Sequence, residues 1–262
     1  MSGSLLETQS GKVLILCLNR PDSLNSLDAP LMKRLRDSVR AAAENDSVGC
    51  VVLTGSGKGF CSGGDVRAIQ SAAKSRVESN ASTPDSTDSR TRWLRRSAEV
   101  SQLLHEMPKP TIAMINGACA GAGLSLAAAC DMRFAAQSSK FRPAFTSNGM
   151  PGDYGGSWLW THILGTAKAR QLYFLDELRD ASQALAFGLV DRVIDDDALQ
   201  RETLAVAERL AAAPAPGLAY AKANLNAALT ENFASALDRE SLSMMRARDV
   251  LVAARKAAAA RT

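Results

Sequence analysis

The sequence predicts an α/β fold, and three observations carry that expectation. Short apolar runs alternate with helical periodicities up to about residue 195. Two of the strand-to-helix passages, Gly55–Asp65 and Ile115–Cys130, run through turns rich in Gly and other small residues. From Asp197 onward the pattern is helical only. The chain therefore divides into a core over residues 1–195 and a C-terminal helical region over residues 196–262.

Taken in order, Val13–Leu18 reads as a strand ended by Asn19-Arg20-Pro21. Apolar residues at Leu31, Met32, Leu35 and Val39 predict a helix over Asp28–Ala43, with Asp28 as N-cap and Pro30 in the first turn. Cys50–Thr54 reads as a buried strand. Val66–Ala73 begins a helix that gives way to Lys74–Arg92, rich in Ser, Thr and Asp, which reads as an insertion beside the site. It serves either as a lid or as plain surface loop. Trp93–Glu106 is an amphipathic helix closed by Met107-Pro108. Thr111–Ile115 and Met132–Ala136 are strands, and Phe141–Pro151 is irregular. Helices are expected at Ser157–Leu164, Ala167–Leu175 and Ser182–Gly188, then a strand at Leu189–Ile194. Leu199–Ala213, Leu218–Leu229 and Phe233–Ala260 complete the helical region.

Composition narrows the function. The chain has 262 residues, 46% hydrophobic and 22% charged, with a net charge of +4. That mild surplus suits a small anionic ligand better than nucleic acid, and no Lys/Arg block is present. Five cysteines in apolar contexts, without a CxxC pair, read as reduced core residues of a cytoplasmic protein. Two histidines make a His-based metal site an unlikely design. No secretory pattern opens the sequence, and no apolar run is long enough to span a membrane.

Familiar motifs are excluded one by one. Gly55-Ser56-Gly57-Lys58-Gly59 resembles a phosphate loop, but Gly59 stands where Ser or Thr must follow the Lys. Phe60 and Leu126 each block the third small residue of a dinucleotide fingerprint. HExxH, GxSxG and SxxK are absent. What remains is a pair of turns, each preceded by a strand and followed by a helix. Gly64 and Ala122 can each present a backbone N–H, and two such donors on one oxygen form an oxyanion hole.

In this light the chain resembles the enoyl-CoA hydratase/isomerase (crotonase) superfamily. The resemblance rests on Arg20-Pro21, Asn25-Ser26-Leu27, the run Gly59 to Val66, Ile115-Asn116-Gly117-Ala118, Gly121-Ala122-Gly123, Cys130-Asp131, Phe141 and Gly152-Asp153-Tyr154-Gly155-Gly156. It implies a spiral of ββα units with a C-terminal helical trimerisation region, and a homotrimer or a hexamer built as a dimer of trimers. It also implies a coenzyme A thioester as substrate, with no separate cofactor and no metal. The thioester carbonyl would sit between Gly64 and Ala122. Ser62, Gly64 and Val66 would line the adenine and pantetheine path, flanked by Asn25, Ser26 and Leu27, and Arg67 would lie near the phosphates.

Two departures from the resemblance point to the chemistry. Hydratases of this kind carry two glutamates, and here those places hold Ser125 and Phe145. Neither side chain is an acid or base of the strength that hydration requires. Asp153 remains as the candidate proton shuttle, which favours an acyl-CoA isomerase. The alternatives are a hydratase, a hydrolase or dehalogenase with Asp153 as nucleophile, and a non-catalytic acyl-CoA binder. A plain N-cap for the helix at Ser157 is the structural alternative for Asp153.

Overall fold

Strands β2 (Val13–Leu18) and β3 (Cys50–Gly55) pair in parallel inside the main sheet of the computed structural model, which describes residues 3–64 and 86–259. That sheet has the order β1 (Leu5–Ser10), β2, β3, β5 (Thr111–Ile115), β7 (Met132–Ala136) and β10 (Arg192–Ile194). Only the β1–β2 pair is antiparallel. A second sheet orders β4 (Gly59–Cys61), β6 (Ala118–Ala120), β8 (Lys140–Arg142) and β9 (Arg179–Asp180), the first three parallel. Consecutive strands thus alternate between sheets: β3 then β4, β5 then β6, β7 then β8. Helices follow the β5–β6 and β7–β8 pairs, and the result is the expected spiral of ββα units.

The burial follows from this layering. Every residue of β3 and β5 is buried, as parallel strands covered on both faces require. One face of the main sheet packs on α1 (Ala29–Glu44), α2 (Thr87–Glu106), α3 (Ala122–Ala129) and the second sheet. The other face, with Val13, Cys50, Val52, Ile112 and Phe134, is covered by α6 (Leu199–Ala212) through Leu199, Ala207 and Ala211. Helices α7 (Ala215–Ala227) and α8 (Phe233–Ala259) pack on each other. Lys222 of α7 is buried and donates to the carbonyls of Leu104 and Lys109 and to Asp131, which pins α7 to the start of β5.

Several local expectations hold and several shift. Asp28 caps α1, its side chain accepting from Leu31 N at 2.9 Å. Helix α2 begins at Thr87 rather than Trp93, because Ser86 accepts from Ser89 N and starts the helix within polar sequence. The insertion read over Lys74–Arg92 is therefore helical from Thr87, while its residues 74–85 and the helix read at Val66–Ala73 lie outside the described residues. The irregular stretch Phe141–Pro151 opens within β8 and holds a 3-10 turn at Thr146–Asn148. Helix α4 (Gly156–Leu175) breaks at Gly165, where φ is 76°, giving the two segments expected there. Strand β1 escaped the sequence reading because all but its first residue is exposed, as befits an edge. Helix α5 (Ala181–Phe187) is closed at its start by a capping box between Asp180 and Gln183.

Asn25 holds the junction that positions the site. It is fully buried and sits at φ 58°, a conformation Asn tolerates better than most residues. Its Oδ1 accepts from Arg20 N at 2.8 Å, and its Nδ2 donates to the carbonyls of Ser56 and Gly59 at 2.9 and 2.7 Å. Replacing it by Ala strands those backbone groups. Asn25→Ala is expected to lower stability by about 2–4 kcal/mol, read as a lower urea midpoint with the slope unchanged.

Candidate active site

The site is built on the register of two short strands. In the second sheet Cys61 of β4 lies beside Cys119 of β6, running parallel. Gly64 and Ala122 each stand three residues further along their own strand direction, so the two turns leave the sheet side by side. The turns touch through main chain. Gly63 has φ +97°, and a Cβ there would sit 3.1 Å from Ala120 O and 3.3 Å from Ala122 N. A Cβ on Gly123 would collide with the Cys61 carbonyl and lie 2.7 Å from Cys61 Cβ. Glycine is thus required at both positions for the two backbones to approach.

The first turn is tied down from its other side. Leu27 N donates to Gly63 O at 2.8 Å, and Ser62 N donates to Leu24 O at 2.9 Å. Among the described residues neither Gly64 N–H nor Ala122 N–H is paired with a backbone acceptor. Ala122 opens α3, whose residues are all buried, so its N–H carries the positive end of a helix shielded from water. The pair can receive one anionic oxygen from main chain alone.

The residues nominated for ligand contact meet here, with their side chains turned to other tasks. Asn25 is spent on backbone. Ser26 is buried, and its hydroxyl accepts from Arg20 at 3.0 Å. Leu27 belongs to the main core. Ser62 Oγ donates to Ser23 O at 3.0 Å. Val66 and Arg67 lie outside the described residues.

Asp153 lies in the third Gly-rich turn. Helix α4 is capped by Gly155 with no side-chain bond, so the carboxylate of Asp153 does not cap it; only the Asp153 carbonyl accepts from Gly156 N, at 3.0 Å. Its Oδ1 is buried with no hydrogen-bond partner. Burial pushes its pKa up to about 6. The turn that carries it is strained: Gly152, Tyr154 and Gly155 have φ of 116°, 52° and 75°. Of these, Tyr154 is the notable one, since a bulky side chain seldom takes a positive φ.

The surroundings of Asp153 are neutral groups. Desolvation raises the Cys61 thiol to about 12 and lifts Cys119 well above its ordinary value, so these cysteines stay protonated. The phenols of Tyr154 and Tyr173 are also pushed up, first by burial and then by the Asp153 charge. Tyr173 stacks on Phe145 with ring centres 6.1 Å apart. A Cβ on Gly156 would meet Ser125 Oγ and stand 2.6 Å from the Tyr173 hydroxyl, so both oxygens face that glycine. Tyr173 was not nominated from the sequence. It lies 20 residues beyond Asp153, and the break at Gly165 sets its segment apart from the start of α4. Trp158 is half-exposed between His105 and His162, whereas Trp160 is fully buried.

Among the described residues no cluster of three His, Cys, Asp or Glu side chains could hold a metal, and no helix is long and apolar enough to cross a membrane.

A raised carboxylate pKa has a definite consequence for stability. Asp153 titrates near 3.8 when unfolded and near 6 when folded. The native state therefore binds the proton more tightly, and wild-type stability relative to a neutral variant falls as pH rises through that window. Asp153→Asn is expected to be more stable than wild type by about 1–3 kcal/mol at pH 7, with the gap closing toward pH 4. Urea melts of both proteins at the two pH values check this; a gap independent of pH contradicts a carboxylate raised by desolvation.

Comparison with known proteins identifies the family. Residues 8–250 match the family model described as enoyl-CoA hydratase/isomerase. The 1,2-epoxyphenylacetyl-CoA isomerase of Escherichia coli is 35% identical over 87% of this chain and 84% of its own length. The trans-2-decenoyl-[acyl-carrier-protein] isomerase of Streptococcus mutans is 31% identical over 76% of this chain and 72% of its own. The crystal structure of an enoyl-CoA hydratase from Polaromonas superposes with a TM-score of 0.84 at 30% identity, covering 93% of this chain and 91% of that one. The chain belongs to the enoyl-CoA hydratase/isomerase family.

Proposed function

We propose that this protein is an acyl-CoA isomerase in which Asp153 shuttles one proton along the acyl chain. The observation that carries the reading is the Asp153 carboxylate: half-buried, with Oδ1 buried and unpaired, raised to about 6, and not engaged in capping. A carboxylate of that pKa is charged at neutral pH and basic enough to take a proton from carbon next to a polarised thioester.

The steps follow from the groups present. The thioester carbonyl accepts hydrogen bonds from Gly64 and Ala122 N–H, which stabilise negative charge as it develops on oxygen. Asp153 removes a proton from C2 of a 3-enoyl thioester, and the electron pair spreads over the dienolate. The protonated Asp153 then gives that proton to C4. The double bond has moved from C3–C4 to C2–C3, and no water is consumed. Ring substrates with the same acidic carbon are open to the same shuttle.

Hydration is disfavoured by the two positions discussed above. Ser125 and Phe145 stand where the resemblance calls for the glutamates of a hydratase, and one carboxylate suffices for a shuttle but not for activating water and protonating carbon together. The substrate supplies coenzyme A, so no separate cofactor is needed. The protein works in the cytoplasm as a trimer or a dimer of trimers, an assembly that would cover Phe233, Leu237, Met244 and Met245, all exposed on α8.

The test is a panel of 2-enoyl, 3-enoyl and dienoyl thioesters with wild type and Asp153→Asn. Isomerisation of a 3-enoyl thioester is expected, with kcat/KM rising with pH up to about 6 and level above it. The variant is expected to lose about 10²–10⁴-fold. Robust hydration of crotonyl-CoA that persists in Asp153→Asn overturns the proposal.

A further inference from the structure

The Asp153 carboxylate has no bond at Oδ1 to hold it in place, so its position is set by the turn that carries it. That turn, residues 152–156, keeps positive φ at Gly152, Tyr154 and Gly155, and its one internal backbone bond runs from Gly156 N to the Asp153 carbonyl. Backbone in such a form persists only where its surroundings hold it. What lies against it is Tyr173. A Cβ on Gly152 would stand 3.0 Å from the ring carbon Cε1 of Tyr173, and a Cβ on Gly156 would stand 2.6 Å from its hydroxyl. The chain thus bends around one edge of the phenol, with a glycine at each close approach.

Tyr173 is itself held from several sides. Its ring stacks on Phe145 with the planes 4° from parallel. Its carbonyl accepts from Thr146 Oγ1 at 2.6 Å. Three residues on, Asp176 accepts from Ala144 N at 2.7 Å and from Ser147 N at 3.0 Å, which ties the end of α4 to the same segment. The Tyr173 hydroxyl, kept protonated by burial, interacts with Ser125 Oγ over Gly156. Ser125 lies within the wholly buried α3, three residues after Ala122 and about 4.5 Å further along the axis. An unbroken line of contact therefore runs from the oxyanion helix through Ser125 and Tyr173 to the turn of Asp153.

We propose that Tyr173 is a positioning residue for the proton transfer: its ring holds the 152–156 turn in its strained form, and its hydroxyl, set against Ser125, fixes the distance between the Asp153 carboxylate and the oxyanion donor Ala122. This rests on the reading of Asp153 as the proton shuttle and adds the part that aims it. A substrate held by its carbonyl on one element and deprotonated from another tolerates little drift between them, since a misplacement of about 1 Å can cost about 10²-fold in rate. Tyr173 acts through Asp153 and exchanges no proton itself.

Kinetics and isotope transfer on a 3-enoyl thioester deuterated at C2 test this with wild type, Tyr173→Phe and Tyr173→Leu. Tyr173→Phe keeps the ring and loses the contact with Ser125. Its kcat is expected to fall about tenfold with KM within about twofold of wild type. The inflection of kcat/KM near pH 6 should stay in place, because the carboxylate is as desolvated as before. The share of product that carries at C4 the deuterium from C2 should fall about twofold or more, as a displaced carboxylate exchanges with solvent before it delivers. Tyr173→Leu also removes the ring edge and is expected to lose about 10²-fold in kcat. Wild-type kcat and deuterium share in Tyr173→Phe, or losses confined to KM and the urea midpoint in both variants, mark a packing residue and overturn the inference while the Asp153 reading stands. Wild type that isomerises no 3-enoyl thioester, or Asp153→Asn as active as wild type, overturns both.

Discussion

Two glycine turns must touch for this site to exist. The contact is main chain on main chain: Gly63 against Ala120, Gly121 and Ala122, and Gly123 against Cys61. It is possible only because β4 and β6 run parallel in a register that pairs Cys61 with Cys119. The spiral supplies that register by sending consecutive ββα units through the same two sheets. Asn25 and the carbonyl of Leu24 then fix the first turn from outside, and the wholly buried α3 fixes the second. The main sheet, its helices and the packing of α6 on its back face give this junction a rigid support.

Against that rigid junction the protein sets a strained turn. Positive φ at Gly152, Tyr154 and Gly155 holds the chain where Asp153 is half-buried, with its Oδ1 shielded from water. The cost is a charged group without a partner, and the raised pKa is its signature. Neutral neighbours preserve the arrangement. Cys61, Tyr154 and Tyr173 stay protonated near neutral pH, so no competing charge forms beside the carboxylate.

Much of this was legible in the chain itself. The buried strands declared themselves through β-branched runs, α1 through its Asp28 cap and apolar spacing, and the turns through their glycines. Gly64 and Ala122 could be paired as donors because each follows a strand and precedes helical sequence. Helix α2 was read short because its first turn, Thr87–Arg92, is polar all round and starts from a cap rather than an apolar stripe. The structural role of Asn25 is not legible in sequence, because a buried amide satisfying three backbone groups looks there like any loop asparagine. Tyr173 was invisible, since only the placement of α4 beyond its break at Gly165 brings it over Gly156. Capping by Asp153 was a fair reading of its position, and only φ at Gly155 and the buried Oδ1 speak against it.

The central claim is that one carboxylate carries one proton between two carbons of a thioester held by Gly64 and Ala122. Isotope transfer reads that directly. A 3-enoyl thioester deuterated at C2 is converted, and the product is examined by NMR and mass spectrometry. The account predicts that a measurable share of the product carries at C4 the deuterium that left C2, and that Asp153→Asn forms no such product. Product made by Asp153→Asn at the wild-type rate, with no deuterium at C4, would contradict it.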